Sequence, residues 1–279
     1  MQKEIFKEKS VFVTIDGQRM HVFRTGNKEA PKLVLLAGSG TVAPVYDFKV
    51  LYEKLTKDFR IIVIEKFGYG YSDLYEGPCD IDSVVSMEKQ ALEKAGEEGP
   101  YILAAHSMSG LEALRWKQLY PDSVRAIIGL DMAWPSSYMH WGQEEIDKRI
   151  RFMEKMRKLN DHGLLFWYPV SDRGLTKEEK KELLSLRKRN AMNPCYVKEA
   201  RAVLENARMV DSQGIVDCPA LLFVSDGKQV SAGWQEHQKN AAAQMKAKLV
   251  FLNCGHYIHY YESERISQEI RSFVKNLEG

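Results

Sequence analysis

Little in this sequence is concentrated. Four cysteines are scattered over 279 residues (Cys79, Cys195, Cys218, Cys254), with no Cys-x-x-Cys pair and no metal-ligand spacing. That excludes a disulfide scaffold and a thiolate metal cage, and is the pattern of free thiols in a reducing compartment. An excess of either charge is missing too. The formal net charge of +2 gives no electrostatic reason to expect nucleic acid or an anionic membrane surface as partner. No window reaches the ~18–20 apolar residues of a membrane span, and the first ten residues are charged throughout, without an apolar signal region. The expectation is a cytoplasmic protein with no membrane span. Internal repeats and low-complexity tracts are absent. What remains is an ordinary globular composition, 44% hydrophobic and 28% charged, long enough for one large α/β domain with an insertion.

The hydrophobic pattern supplies the architecture. Ser10 to Thr25 alternates as a hairpin, with Asp16-Gly17 at its turn. Short continuous apolar runs then recur at Lys32–Ala37, Arg60–Glu65, Tyr101–His106, Val124–Leu130, Pro219–Val224 and Lys248–Leu252. Between them lie helical patterns at Phe48–Thr56, Ile81–Ala95, Leu111–Leu119, Ser231–Met245 and Glu262–Leu277. Strands that are apolar without alternation are buried on both faces, the mark of a mostly parallel sheet covered by helices. The rhythm breaks from Met132 to about Ser212, where only helical stripes occur: Ile146–Leu159, Thr176–Asn190 (opened by a capping box, Thr176 with Glu179) and Pro194–Met209. The expected division is therefore a core of residues 1–131 and 213–279 and a helical cap of residues 132–212. Aromatics gather in the cap, at Trp134, Tyr138, Trp141, Phe152, Phe166, Trp167 and Tyr168. Most of them are expected to pack against the sheet, and a few to line an apolar pocket above it.

One stretch carries chemistry. Tyr101-Ile-Leu-Ala-Ala-His-Ser-Met-Ser-Gly110 runs from strand to helix through Ser107, flanked two residues away by the small Ala105 and Ser109. This is a relaxed nucleophile elbow, small-x-Ser-x-small, in which a sharp turn lifts a serine hydroxyl clear of the backbone. The helix that follows points its N–H groups at the same place. Alone, the pattern is equally that of a serine capping an ordinary helix.

The wider order of motifs resembles the α/β-hydrolase fold family over nearly the whole chain. A glycine-rich loop, Gly38-Ser-Gly40, follows the third strand, and Gly68-Tyr-Gly-Tyr-Ser-Asp73 the fourth. The serine elbow comes after the fifth strand, then the helical cap, and Gly255-His256 comes after the last. Within the family, His106-Ser-Met-Ser-Gly110 and Leu130-Asp-Met-Ala-x-Pro135 look most like a poorly characterised group of bacterial hydrolases. Many of that group begin with a membrane anchor; this sequence shows none, and membrane attachment is not carried over.

The resemblance implies a cofactor-independent serine hydrolase with no metal, acting on a small-molecule substrate; it leaves the oligomeric state open. Ser107 is the implied nucleophile and His256 its base, with His106 and His259 as the histidines to be set aside. The acid is open between two positions. Lys228 stands where many relatives place it. Asp226 lies nearer the strand end, in a common turn dipeptide, and Asp131 sits at the tip of the strand after the elbow, an alternative used by some relatives and the preferred one here. The implied oxyanion hole is made by the backbone N–H groups of Ser39 and Met108. Glu65 and the loop after it match a structural motif of the family and are assigned no catalysis. An ester with an apolar acyl or alcohol part suits the aromatic cap, whereas dehalogenases and epoxide hydrolases of this fold use aspartate where Ser107 stands. The runners-up are a proline-type aminopeptidase, with Glu144, Glu145 or Glu205 holding the substrate ammonium, and a receptor-like protein of the same fold without turnover.

Overall fold

A computed structural model describes residues 8–277, so the outermost ends of the expected core, residues 1–7 and 278–279, lie outside the described residues. The chain opens with β1 (Ser10–Ile15) and β2 (Gln18–Gly26), paired antiparallel. Asp16 and Gly17 between them both have positive φ, 49° and 78°, the two-residue turn whose twist matches that of the strands. β3 (Lys32–Leu36), β4 (Arg60–Glu65), β5 (Tyr101–His106), β6 (Val124–Leu130), β7 (Ala220–Val224) and β8 (Lys248–Phe251) complete one eight-stranded sheet in the order β1-β2-β4-β3-β5-β6-β7-β8. β2 meets β4 antiparallel, and every pairing beyond that is parallel.

The unbroken apolar runs are two interleaved faces. Leu33, Leu35, Ile61, Val63, Ile102, Ala104, Leu221 and Phe223 belong to one buried cluster. Their neighbours Val34, Leu36, Ile62, Ile64, Leu103, Ala105, Leu222 and Val224 belong to the other. Side chains alternate along a strand, so a sheet coated on both sides needs apolar residues at consecutive positions. The first face is covered by α1 (Pro44–Asp47), α2 (Lys49–Leu55) and, at the end of the chain, α10 (Ile258–Tyr261) and α11 (Ser263–Asn276). The second is covered by α3 (Ile81–Lys94), α4 (Ser109–Leu119) and α9 (Trp234–Met245). Each fully buried aliphatic side chain contributes roughly 1.5–3 kcal/mol against exposure.

Between β6 and β7 the secondary structure is helical, α5 (Pro135–Met139), α6 (Gly142–Asp161), α7 (Lys177–Asn190) and α8 (Pro194–Ser212), with an irregular connection at residues 162–176 between α6 and α7. α6 begins four residues before the expected Ile146, because Gly142 to Glu145 supply a polar first turn that an apolar stripe cannot register. The capping box forms at Thr176, whose hydroxyl accepts from the Glu179 N–H while the Glu179 carboxylate accepts from the Thr176 N–H. The three short helices α1, α5 and α10 carry too few residues to show a period and were not expected. Among the described residues no helix is long and apolar enough to cross a membrane.

Candidate active site

β5 and β6 are neighbours in register, with His106 opposite Leu130. The next residue of each strand is therefore placed side by side at the carboxyl edge of the sheet. Those residues are Ser107 and Asp131, and both turn into the left-handed region, with φ of 55° and 51°. Non-glycine residues pay for that conformation and keep it only where their surroundings hold it. At Ser107 the hold is visible. Its carbonyl accepts from the N–H groups of Gly110 at 3.0 Å and Ala133 at 2.7 Å. The Ser109 hydroxyl lies 2.7 Å from the carbonyl oxygen of Leu36 and 2.8 Å from that of His106. The tight packing expected at this turn falls most heavily on two glycines. A Cβ on Gly38 would stand 2.7 Å from the Ser107 Cβ, and one on Gly110 would stand 2.3 Å from the Ala133 oxygen.

His256 follows β8 and completes a chain of contacts. Its Nε2 lies 2.9 Å from the Ser107 Oγ and its Nδ1 lies 2.6 Å from Asp131 Oδ2. An ionised carboxylate has no hydrogen to give, so Nδ1 carries the hydrogen of that pair and Nε2 turns a lone pair to the serine hydroxyl. The Asp131 carboxylate is wholly buried. Its other oxygen accepts from the Ser225 N–H at 2.8 Å and the Trp234 indole N–H at 2.8 Å. The His256 N–H donates to Gln229 Oε1 at 3.0 Å. Trp234 and Gln229 lie in the stretch after β7 and offer no recognisable spacing, so sequence reasoning had no signal for them.

The structure separates the other candidates from this chain. The Asp226 carboxylate accepts from the Lys228 N–H at 3.0 Å and lies 3.3 Å from that residue's ammonium. The backbone hydrogen bond, and then the lysine side chain, hold it below the usual carboxylate range. It closes its own turn rather than reaching His256. His259 is buried against α1, with Nε2 3.0 Å from Asp47 Oδ2. His106 is buried behind His256, ring centroids 4.7 Å apart, and burial pushes its imidazole well below its ordinary pKa. Glu145 and Glu205 form pairs along their own helices, with Arg149 and Arg208, and Glu144 is exposed. Glu65 is fully buried and accepts from the Val45 N–H, the Tyr71 N–H and His21, which makes it a brace between loops. Burial pushes the Cys254 thiol up to about 11, the reverse of what a reactive cysteine needs.

Ser39 follows Gly38 in the loop beside Ser107, and Met108 precedes α4. Among the described residues neither N–H donates to a protein acceptor. Both donors are therefore unspent, and Met108 lies at the start of α4, where the helix carries its partial positive charge.

A cleft of about 410 Å³ adjoins the site, lined by Gly40 of this loop, Gln229, Tyr168, Tyr257, Tyr260 and Val170, among others. Of the seven insertion aromatics Tyr168 faces this cleft. Trp134 lines a separate cavity of about 320 Å³ between α4, α8 and α9. Tyr138 is packed inside with Trp141 against it, and Phe152, Phe166 and Trp167 are exposed.

Comparison with known proteins agrees with this layout. The sequence model described as "Alpha/beta hydrolase family" matches residues 33–269. Uncharacterized protein YbdG of Bacillus subtilis (strain 168) is 29% identical over 286 aligned positions, covering 98% of this chain and 88% of that protein. A putative epoxide hydrolase of Pseudomonas aeruginosa superposes with a TM-score of 0.73 at 16% identity, covering 96% of each chain. The enol-lactonase of Burkholderia xenovorans LB400 superposes with a TM-score of 0.69 at 18% identity, covering 95% of this chain and all of the other.

Proposed function

Because this chain belongs to the alpha/beta hydrolase family, we propose that it is a serine hydrolase that cleaves carboxylic esters through an acyl-enzyme, with residues 132–212 as a cap over the site. The observation that carries the reading is the unbroken run from Ser107 Oγ through His256 to the buried Asp131. His256 takes the serine proton as the oxygen attacks the ester carbonyl, and Asp131 holds the imidazole in the required tautomer and offsets its charge. The carbonyl oxygen, now negative, is received by the Ser39 and Met108 N–H groups. Collapse of the adduct passes the proton from His256 to the leaving alcohol, and water then repeats the sequence in reverse to free the acid. A serine at the elbow favours acyl transfer over the epoxide opening named for the Pseudomonas neighbour, and a lactone, as in the Burkholderia neighbour's name, is itself a cyclic ester. The cleft offers the rings of Tyr168, Tyr257 and Tyr260 to an apolar acyl or alcohol part, and Thr41, Asp47, Ser171 and Arg173 of the same lining give it polar walls as well. The outward placement of Glu144, Glu145 and Glu205 counts against an aminopeptidase.

The test is a series of p-nitrophenyl esters of increasing chain length, with Ser107→Ala as control and a fluorophosphonate as active-site label. Sustained turnover that disappears in the variant, together with labelling of Ser107, is the expected result. A single stoichiometric burst would point instead to a ligand-binding protein, and an unlabelled wild type would remove Ser107 as nucleophile.

A further inference from the structure

The loop that carries the Ser39 N–H has few attachments within the core. Gly38 O accepts from the Thr41 N–H across a 3.4 Å turn, and Val42 O accepts from the Gly70 N–H at 3.0 Å. Gly40 within it has a φ of 77°, a glycine conformation that leaves the backbone easily deformed. Yet four successive peptide groups are each held by a side chain. The Gly40 N–H donates to the Tyr69 hydroxyl at 3.3 Å, and that hydroxyl donates to Glu199 at 2.5 Å. Gly40 O accepts from the Tyr168 hydroxyl at 3.1 Å, Thr41 O from the Tyr196 hydroxyl at 2.9 Å, and Val42 O from Asn190 Nδ2 at 2.9 Å. Tyr168, Asn190, Tyr196 and Glu199 all belong to the 132–212 insertion. Asn190 and Tyr196 are completely buried, so each hydrogen bond is made in a dry environment where its geometry is enforced.

We infer that Tyr168, Asn190 and Tyr196 are positioning residues for catalysis, fixing from the insertion the loop whose Ser39 N–H receives the oxyanion. The inference rests on the ester-hydrolase reading above and adds to it that the insertion builds half of the anion site besides covering it. The peptide between Gly38 and Ser39 is the next in the series, its N–H donating to no acceptor among the described residues, and the Ser39–Gly40 peptide beside it is held by Tyr69, which Glu199 of the insertion anchors in turn. Anchoring the four peptides that follow sets its orientation while leaving its donor unspent. Donors of this kind act through placement, and a shift of a fraction of an ångström weakens them without affecting the binding of an uncharged ester.

The experiment compares wild type with Tyr196→Phe, Tyr168→Phe and the double variant, which lose a hydroxyl and keep the ring. Turnover of a p-nitrophenyl ester is measured beside the melting temperature and the inhibition constant of an alkylboronic acid. That inhibitor adds to Ser107 as a tetrahedral anion, with the serine proton passing to His256. The expected result is a fall in kcat of roughly 10-fold for each single variant, part of the ~10²–10³ that a whole oxyanion donor supplies. KM should stay nearly unchanged, and boronate affinity should weaken by a similar factor to kcat/KM. Melting temperatures that drop while kcat and boronate affinity hold would overturn the inference, reducing these bonds to satisfied buried polar groups. Tyr168, half-buried at the cleft, keeps the test informative should Tyr196→Phe fail to fold. A wild type without turnover or Ser107 labelling would overturn the hydrolase reading first, and the inference with it.

Discussion

Two aspartates competed for one role, and their surroundings separate them. Asp131 presents one oxygen to His256 Nδ1 at 2.6 Å and gives the other to Ser225 and Trp234. Asp226 spends its carboxylate on Lys228. Asp131→Asn is expected to lower ester kcat/KM by about 10⁴, the loss typical when the imidazole is left in the wrong tautomer. Asp226→Asn should stay within a few-fold of wild type, since the amide can still accept from the Lys228 N–H. Steady-state kinetics on one p-nitrophenyl ester decides it, and a reversed order of the two variants would move the acid to Asp226. Serine and histidine were legible because each stands in a motif with a fixed place, after one particular strand. The acid was not, because a strand tip followed by aspartate occurs twice, and only the three-dimensional meeting with His256 tells the two apart. The same holds for Trp234, which orients Asp131 from 103 positions away.

At the scale of elements, α7 shows how local chemistry ties the insertion to the core. Its capping box satisfies two backbone N–H groups, and the same Glu179 carboxylate lies 2.5 Å from the ammonium of Lys49 on α2. Thr176→Ala removes the acceptor for the Glu179 N–H and loosens that carboxylate. A loss of about 1 kcal/mol is expected, seen as a lower midpoint in urea unfolding with an unchanged slope. Esterase activity at 25 °C should be retained, since Thr176 is not among the contacts that hold the loop. The long elements were readable because burial on one or two faces writes a period of 3.6 or an unbroken apolar run. The box was readable because its chemistry is confined to four residues. The loops were not: what holds Gly40 to Val42 comes from side chains roughly 30 to 150 positions away, and such contacts leave no local trace.

For the molecule as a whole, the most demanding feature lies where the sheet edge, α3, α4 and α8 converge. Lys66 places its ammonium 2.5 Å from both Glu112 and Glu199, with Glu88 alongside. All four side chains are largely or fully withdrawn from water. Burial alone would lower the lysine, but the carboxylates hold its ammonium above the ordinary value. Three carboxylates facing one cation cannot all be charged cheaply. Glu88 Oε2 and Glu112 Oε2 are each buried without a partner among the described residues, as two acceptors facing one another must be unless a proton lies between them. Burial, and then Glu112, push Glu88 well above the ordinary carboxylate range. The folded protein therefore holds that proton more tightly than the unfolded chain does. Its contribution to stability is complete below the unfolded pKa of about 4.3 and is lost as pH rises through the higher folded value. Glu88→Gln keeps the shape and cannot ionise. Its melting temperature should lie near that of wild type at about pH 5 and increasingly above it towards pH 9. Each unit of pKa shift is worth about 1.4 kcal/mol, or about 2–4 °C in a chain of this order of size. Scanning calorimetry across that range checks the divergence. Parallel curves would place the proton elsewhere in the cluster. A variant that is lower at every pH would mean that the glutamine cannot replace the bond a protonated Glu88 makes to Glu112. Glu199 links this cluster to Tyr69 and through it to Gly40, so the same titration, followed by kcat in wild type, should weaken turnover at alkaline pH before the protein unfolds.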